Sequence, residues 1–133
     1  MENSPAYILD AISAGFDVEI DCWVIENNIF LGHDNPQYQI NFNFLQLNKD
    51  RLWIHCKNLN AMEFFINKDF NFFWHENDQY TLTSNKYIWT YPLKKYSKNS
   101  ILVDLDLNYL KLQTKIPYGV CTDYPKKALT FFN

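Results

Sequence analysis

Three features of the sequence predict an α/β fold. Residues 16–23 alternate strictly between apolar and polar side chains. A series of short apolar runs, rich in aromatic residues, follows at 52–56, 72–74, 80–82, 87–90, 101–105 and 118–122. Two stretches, about 4–14 and 59–66, carry helical stripes. Strands mixed with few, short helices are the pattern of an α/β domain.

In the first helix, Tyr7, Ile8, Ala11 and Ile12 share one stripe. Ser4 is a suitable cap, Pro5 fits the first helical position, and Gly15 is a stop. The segment Phe16 to Trp23 is a strand, because period-two alternation places neighbours on opposite faces. A turn at Glu26-Asn27-Asn28 leads to a second run, Ile29 to Leu31, and then to Gly32-His33-Asp34. Residues 35–50 are polar and turn-rich. Leu52 to Cys56 is a strand, and Leu59 to Ile66 a helix with Leu59, Met62, Phe65 and Ile66 on one face. Tyr109 to Leu112 is a short helical turn. No internal repeat or linker is visible, so residues 1–133 read as a single domain.

The charge balance is slightly negative, −3 for the chain. That argues against a sequence-independent nucleic-acid binder, which needs a basic footprint. The lysines at 94, 95 and 98, and at 126 and 127, read as solvated loop charges. Cys22, Cys56 and Cys121 are far apart and odd in number, so neither a disulfide framework nor a zinc ribbon is expected; they read as small buried thiols. The N-terminus lacks a basic and apolar signal region, and no apolar run approaches the ~20 residues of a membrane span. A reducing, cytoplasmic compartment is expected.

Side-chain chemistry concentrates in four places. On strand 16–23, Asp17, Glu19, Asp21 and Trp23 share one face, opposite Phe16, Val18, Ile20 and Cys22. Glu19 and Asp21 project side by side, and like charges that close repel unless a cation or a proton lies between them. A hard divalent cation suits the pair; so does an edge strand with a hydrated acidic face. On strand 52–57, Trp53, His55 and Lys57 share a face. The His and the Lys can approach an anion together, or the His can ligate a metal. His33 follows a short apolar run, where a chain leaves its sheet and can reach a site at the strand ends. His75 and Glu76 hold a similar position after Phe73-Trp74. No Gly-rich phosphate loop, G-x-S-x-G or H-E-x-x-H occurs.

Taken in order, these segments resemble the glycerophosphodiester phosphodiesterase family. Glu2-Asn3-Ser4 is similar to the E-N-T that precedes a helix there, and Gly15 through Asp21 to its G-x-x-x-E-x-D strand. Gly32-His33-Asp34 falls at its H-D, Ile54-His55-Cys56-Lys57 at its E-x-K, Trp89-Thr90 at its W-T, and Thr122-Asp123-Tyr124-Pro125 at its closing T-D-x-P. The resemblance implies a small or incomplete (β/α) barrel of TIM type, since a full one takes about 250 residues. It also implies a compact chain that lacks the family's first strand, with its His-Arg-Gly, and is truncated at the N-terminus. Glu19 and Asp21 would bind a divalent metal, with His55 where the family has a third carboxylate. Mg²⁺ or Ca²⁺ is the family's expectation; an imidazole ligand shifts it toward Mn²⁺ or Zn²⁺. His33 and Lys57 would be catalytic. The implied activity is metal-dependent hydrolysis of a glycerol- or sugar-type phosphodiester, of the kind met in lipid metabolism. The alternative is an impaired relative that binds a phosphorylated or glycan-linked ligand. A small-molecule phosphodiester is the expected partner, with no nucleic acid and no membrane span.

Overall fold

Helix α1 (Pro5–Ser13) starts where the sequence places it. The Ser4 hydroxyl accepts the Tyr7 amide at 3.4 Å and Pro5 opens the first turn. Gly15, just past the helix, has φ +91°, a conformation that a Cβ would make costly. Strand β1 (Val18–Ile25) begins two residues later than the alternation suggests and runs two further. Glu26 and Asn27 both have positive φ, as a two-residue type I′ turn requires, so the chain reverses into β2 (Asn28–Leu31) as an antiparallel hairpin. The polar stretch 35–50 holds β3 (Tyr38–Ile40), α2 (Phe42–Asn48) and a 3₁₀ turn at Lys49–Arg51. Strand β4 (Leu52–Cys56), helix α3 (Leu59–Phe65) and the short β5 (Phe72–Phe73) follow.

The computed structural model describes residues Met1–Asn133, which divide into two units, Met1–His75 and Glu76–Asn133. In the first unit a five-stranded sheet runs β3-β2-β1-β4-β5. β1, β4 and β5 are parallel, whereas β2 pairs antiparallel with β1, and β3 antiparallel with β2. Ile20, Cys22 and Val24 of β1 and Leu52, Ile54 and Cys56 of β4 fall on alternate positions and are buried, with Ile8 of α1, Leu45 of α2 and Ala61 and Phe65 of α3 in the same core. α3 is turned relative to the expected face. Ala61 and Phe65 are its buried residues, while Leu59 and Ile66 are exposed.

The second unit contains β6 (Tyr80–Leu82), β7 (Ile88–Thr90), β8 (Ser100–Val103), a 3₁₀ turn at Leu110–Leu112, β9 (Gly119–Cys121) and helix α4 (Pro125–Phe132). Its sheet order is β6-β7-β8-β9, with β7, β8 and β9 parallel and β6 antiparallel. Leu102, Leu107, Leu110 and Ala128 form its core.

The expected TIM-type barrel is therefore corrected: the chain forms two small mixed sheets, with four α-helices and no closed barrel. A barrel needs each strand to be followed by a crossover to a parallel neighbour. Here the tight reversals after β1 and β6 give antiparallel partners, and β3 and β6 remain edge strands. No helix is long and apolar enough to cross a membrane.

Candidate metal centre

Parallel pairing of β1 with β4 sets Glu19 beside Trp53 and Asp21 beside His55. The acidic face of one strand thus meets the His and Lys of the next. Of the three acids on that face, Asp17 is drawn to the strand's beginning, where its carboxylate lies 3.1 Å from Arg51 Nη1 and accepts Trp53 Nε1 at 3.1 Å. Glu19 and Asp21 remain together. His55 Nδ1 lies 3.0 Å from Asp21 Oδ1 and 3.6 Å from Glu19 Oε1, and Lys57 Nζ lies 3.6 Å from Asp21 Oδ1. Glu19, Asp21 and His55 each offer one ligand atom, all within 4.8 Å of one another.

Asp21 is only 1 % exposed. A buried carboxylate is costly unless its oxygens are satisfied. Asn3 satisfies half of it. Its Nδ2 donates to Asp21 Oδ2 at 2.9 Å, and its Oδ1 accepts the Asp21 backbone amide at 2.8 Å. Asn3 is itself buried and has φ +61°, the left-handed conformation that Asn tolerates better than most residues. This reciprocal clamp fixes the carboxylate, and Oδ1 is left a buried acceptor without a hydrogen-bond donor. The nearest nitrogen to it among its ion-pair partners is His55 Nδ1, at 3.0 Å.

His55 is fixed as firmly. Its ring stacks on Phe73, with centroids 5.2 Å apart and planes 6° from parallel. Its Nε2 lies 2.7 Å from the His75 carbonyl oxygen, which can only accept, so Nε2 carries a hydrogen. Nδ1 then faces two carboxylates. A bare lone pair there would repel them, so Nδ1 carries either a proton or a metal ion. Burial opposes the charged imidazole, but Asp21 and Glu19 outweigh it and push the His55 pKa up to about 9. Burial likewise raises the Glu19 pKa, which His55 offsets in part while Asp21 adds to the rise. At Asp21 burial is outweighed by His55, Asn3 and the Lys57 charge, which hold the carboxyl below its ordinary value.

His33 is tied to the same strand through the backbone. Gly32 N–H donates to the Asp21 carbonyl at 3.1 Å, and Trp23 Nε1 donates to the Gly32 carbonyl at 2.7 Å. Gly32 is required there, because a Cβ would lie 2.0 Å from the Asn35 carbonyl oxygen. The His33 imidazole is exposed, with Nδ1 2.9 Å from Asp34 Oδ1. Glu2, Asp21 and His33 also bring one ligand atom each within 4.8 Å. Of the five residues given site roles by the resemblance, Glu19, His33, His55 and Lys57 thus lie close to the fifth, the buried Asp21.

Three contributors had no site role in the sequence reading: the Asn3 side chain and Glu2, both in the segment similar to E-N-T, and the backbone carbonyl of His75. Asn3 and Asp21 are 18 positions apart, and nothing in local periodicity links them. A carbonyl acceptor leaves no trace in side-chain pattern at all. Cys22 and Cys56 flank the centre from the core side; burial raises the pKa of both, that of Cys56 to about 12, so they are packing thiols. No family model, curated protein or solved structure matches this chain.

Proposed function

We propose that the N-terminal unit is a metal-dependent phosphodiesterase acting on a glycerol- or sugar-type phosphodiester. The observation that carries this reading is the buried Asp21 Oδ1, held without a donor beside Glu19 and the His55 nitrogen. Such an arrangement fits a cation. Two carboxylates and one imidazole favour Mn²⁺ or Zn²⁺ over Mg²⁺ or Ca²⁺. The Nε2–H bond to the His75 carbonyl supports the fit, because metal-binding imidazoles usually anchor their other nitrogen in this way.

Glu19, Asp21 and His55 would hold the ion, which when bound polarises the phosphoryl oxygens and lowers the charge barrier to attack. Lys57 Nζ, already beside Asp21, supplies a second positive charge for a phosphate oxygen. His33 moves the proton. A hydrogen on Nδ1 directed at Asp34 leaves Nε2 as the working base. The test is turnover of bis(p-nitrophenyl) phosphate and of glycerophosphodiesters by the full chain with Mn²⁺, Zn²⁺, Mg²⁺ or Ca²⁺. Metal-dependent cleavage, abolished by Glu19→Gln or Asp21→Asn and reduced about 10²–10⁴-fold by His33→Ala, is expected. A folded chain that cleaves nothing with any of these ions contradicts the proposal.

One observation favours a second reading, in which a phosphorylated or glycan-linked ligand binds without turnover. Lys57 and a protonated His55 already balance the charges of Glu19 and Asp21, so the centre can close without a metal. Saturable binding of a glycerophosphodiester without cleavage, unaffected by metal chelation, separates the two.

A further inference from the structure

The C-terminal unit carries eight lysines, no arginine and five acids. None of those lysines takes part in an ion pair; every ion pair of the molecule lies within residues 1–75. Five of the eight, Lys94, Lys95, Lys98, Lys111 and Lys115, fall in two loop segments, 91–98 and 111–118, that contain no Asp or Glu. A hydrogen bond from the Tyr96 hydroxyl to the Lys115 carbonyl ties these segments together. Tyr80 holds the first of them through the Lys95 carbonyl at 2.7 Å.

Exposed apolar side chains are interleaved with these lysines. Leu93, Leu112 and Ile116 are 71 %, 74 % and 50 % exposed. Leu93 also has φ +64°, a left-handed conformation that is strained for leucine. Leu107 adopts the same conformation but is buried in the unit's core, where packing offsets the strain. Leu93 has no such burial, so folding gains little from a leucine there.

We propose that loops 91–98 and 111–118 form a docking surface for an anionic lipid bilayer. Lysines without an acidic partner are attracted to acidic headgroups, and single apolar side chains between them enter the headgroup–acyl boundary. Lysine stems suit this setting because they lie along apolar surface while the ammonium stays in water. Protein–protein interfaces are instead depleted of Lys and enriched in Arg. The unit has only lysine.

The full chain is mixed with phosphatidylcholine vesicles, with and without phosphatidylglycerol, and sedimented at several salt concentrations. Binding to the mixed vesicles alone, released by salt, is expected. Lys94→Glu, Lys95→Glu and Lys115→Glu together lower the partition coefficient by at least about a hundredfold, roughly fivefold per lysine. Leu93→Asn lowers it by about tenfold through lost apolar contact. Asn accepts the left-handed backbone, so this variant keeps its fold, as circular dichroism will show. Equal binding to neutral vesicles, binding to neither, no effect of Leu93→Asn, or equally tight binding to duplex DNA or polyglutamate overturns the proposal.

Discussion

In residues 1–75 ten acids face four lysines and arginines, and all the ion pairs are found there; in residues 76–133 eight lysines outnumber five acids and none is paired. The first unit has taken charge into its interior and fixed it with partners at set distances. Its Asp21 is buried behind an asparagine clamp. The second unit keeps most of its charge on loops. Its one buried acid, Asp104, is spent on structure, accepting the Tyr109 and Leu110 amides. Fixed, desolvated charge acts at short range on a small ion or phosphate. Unpaired surface charge acts over a Debye length on something large. The two arrangements thus call for different ligands and different perturbations.

The largest expected effect is at the buried acid. Asp21→Ala leaves a protonated His55 and Lys57 without their buried counter-charge and should destabilise the protein by about 3–5 kcal/mol in urea denaturation. Reversal of any exposed lysine among residues 94–98 should change stability by less than about 0.5 kcal/mol. Equal losses in the two units would break the comparison.

Next is pH. The His55 pKa, raised to about 9 from an ordinary value near 6.5, means that the folded state holds this proton more tightly than the unfolded chain. The stability it supplies, at most about 3 kcal/mol, is complete below about pH 6.5 and is lost as pH rises through 9. Thermal melting against pH should show that decline, and His55→Gln should remove it. Saturating Mn²⁺ should also remove it, since the ion takes the place of the proton.

Asn3→Ala should cost about 2 kcal/mol, because it removes two hydrogen bonds at a buried carboxylate and leaves alanine in a left-handed backbone. Asn3→Gly, which relieves the backbone, should recover part of this; identical losses in denaturant would mean that the backbone is not strained. The smallest effect is of opposite sign. Leu93→Gly should leave stability unchanged or raise it by up to about 1 kcal/mol.

Much of the first unit was legible because its chemistry follows strand periodicity. The alternation at 16–23 placed Glu19 and Asp21 on one face, and the run at 52–57 placed His55 and Lys57 likewise. What alternation could not give was burial: the acidic face of β1 is as closed as its apolar face at Asp21, because Asn3 folds over it from the chain's beginning. Helix α2 was hidden because Leu45 is its one buried residue, so no apolar stripe marks it. Helix α4 had a signal, Pro125 followed by Ala128 and Phe131–Phe132, but Lys126 and Lys127 within it read as loop charges. The barrel failed for a local reason. A two-residue turn at Glu26–Asn27 decides between an antiparallel and a parallel neighbour for β1, and its positive φ values are carried by Glu and Asn rather than glycine.

Calorimetric titration of the full chain with Mn²⁺ in mildly alkaline buffer tests the central claim most directly. One ion should bind saturably to the wild type, with release of the His55 proton, and binding should vanish in Asp21→Asn. Equal binding by the two proteins, or none by a folded wild type, would show that the oxygen left without a donor beneath Asn3 is not a cation ligand.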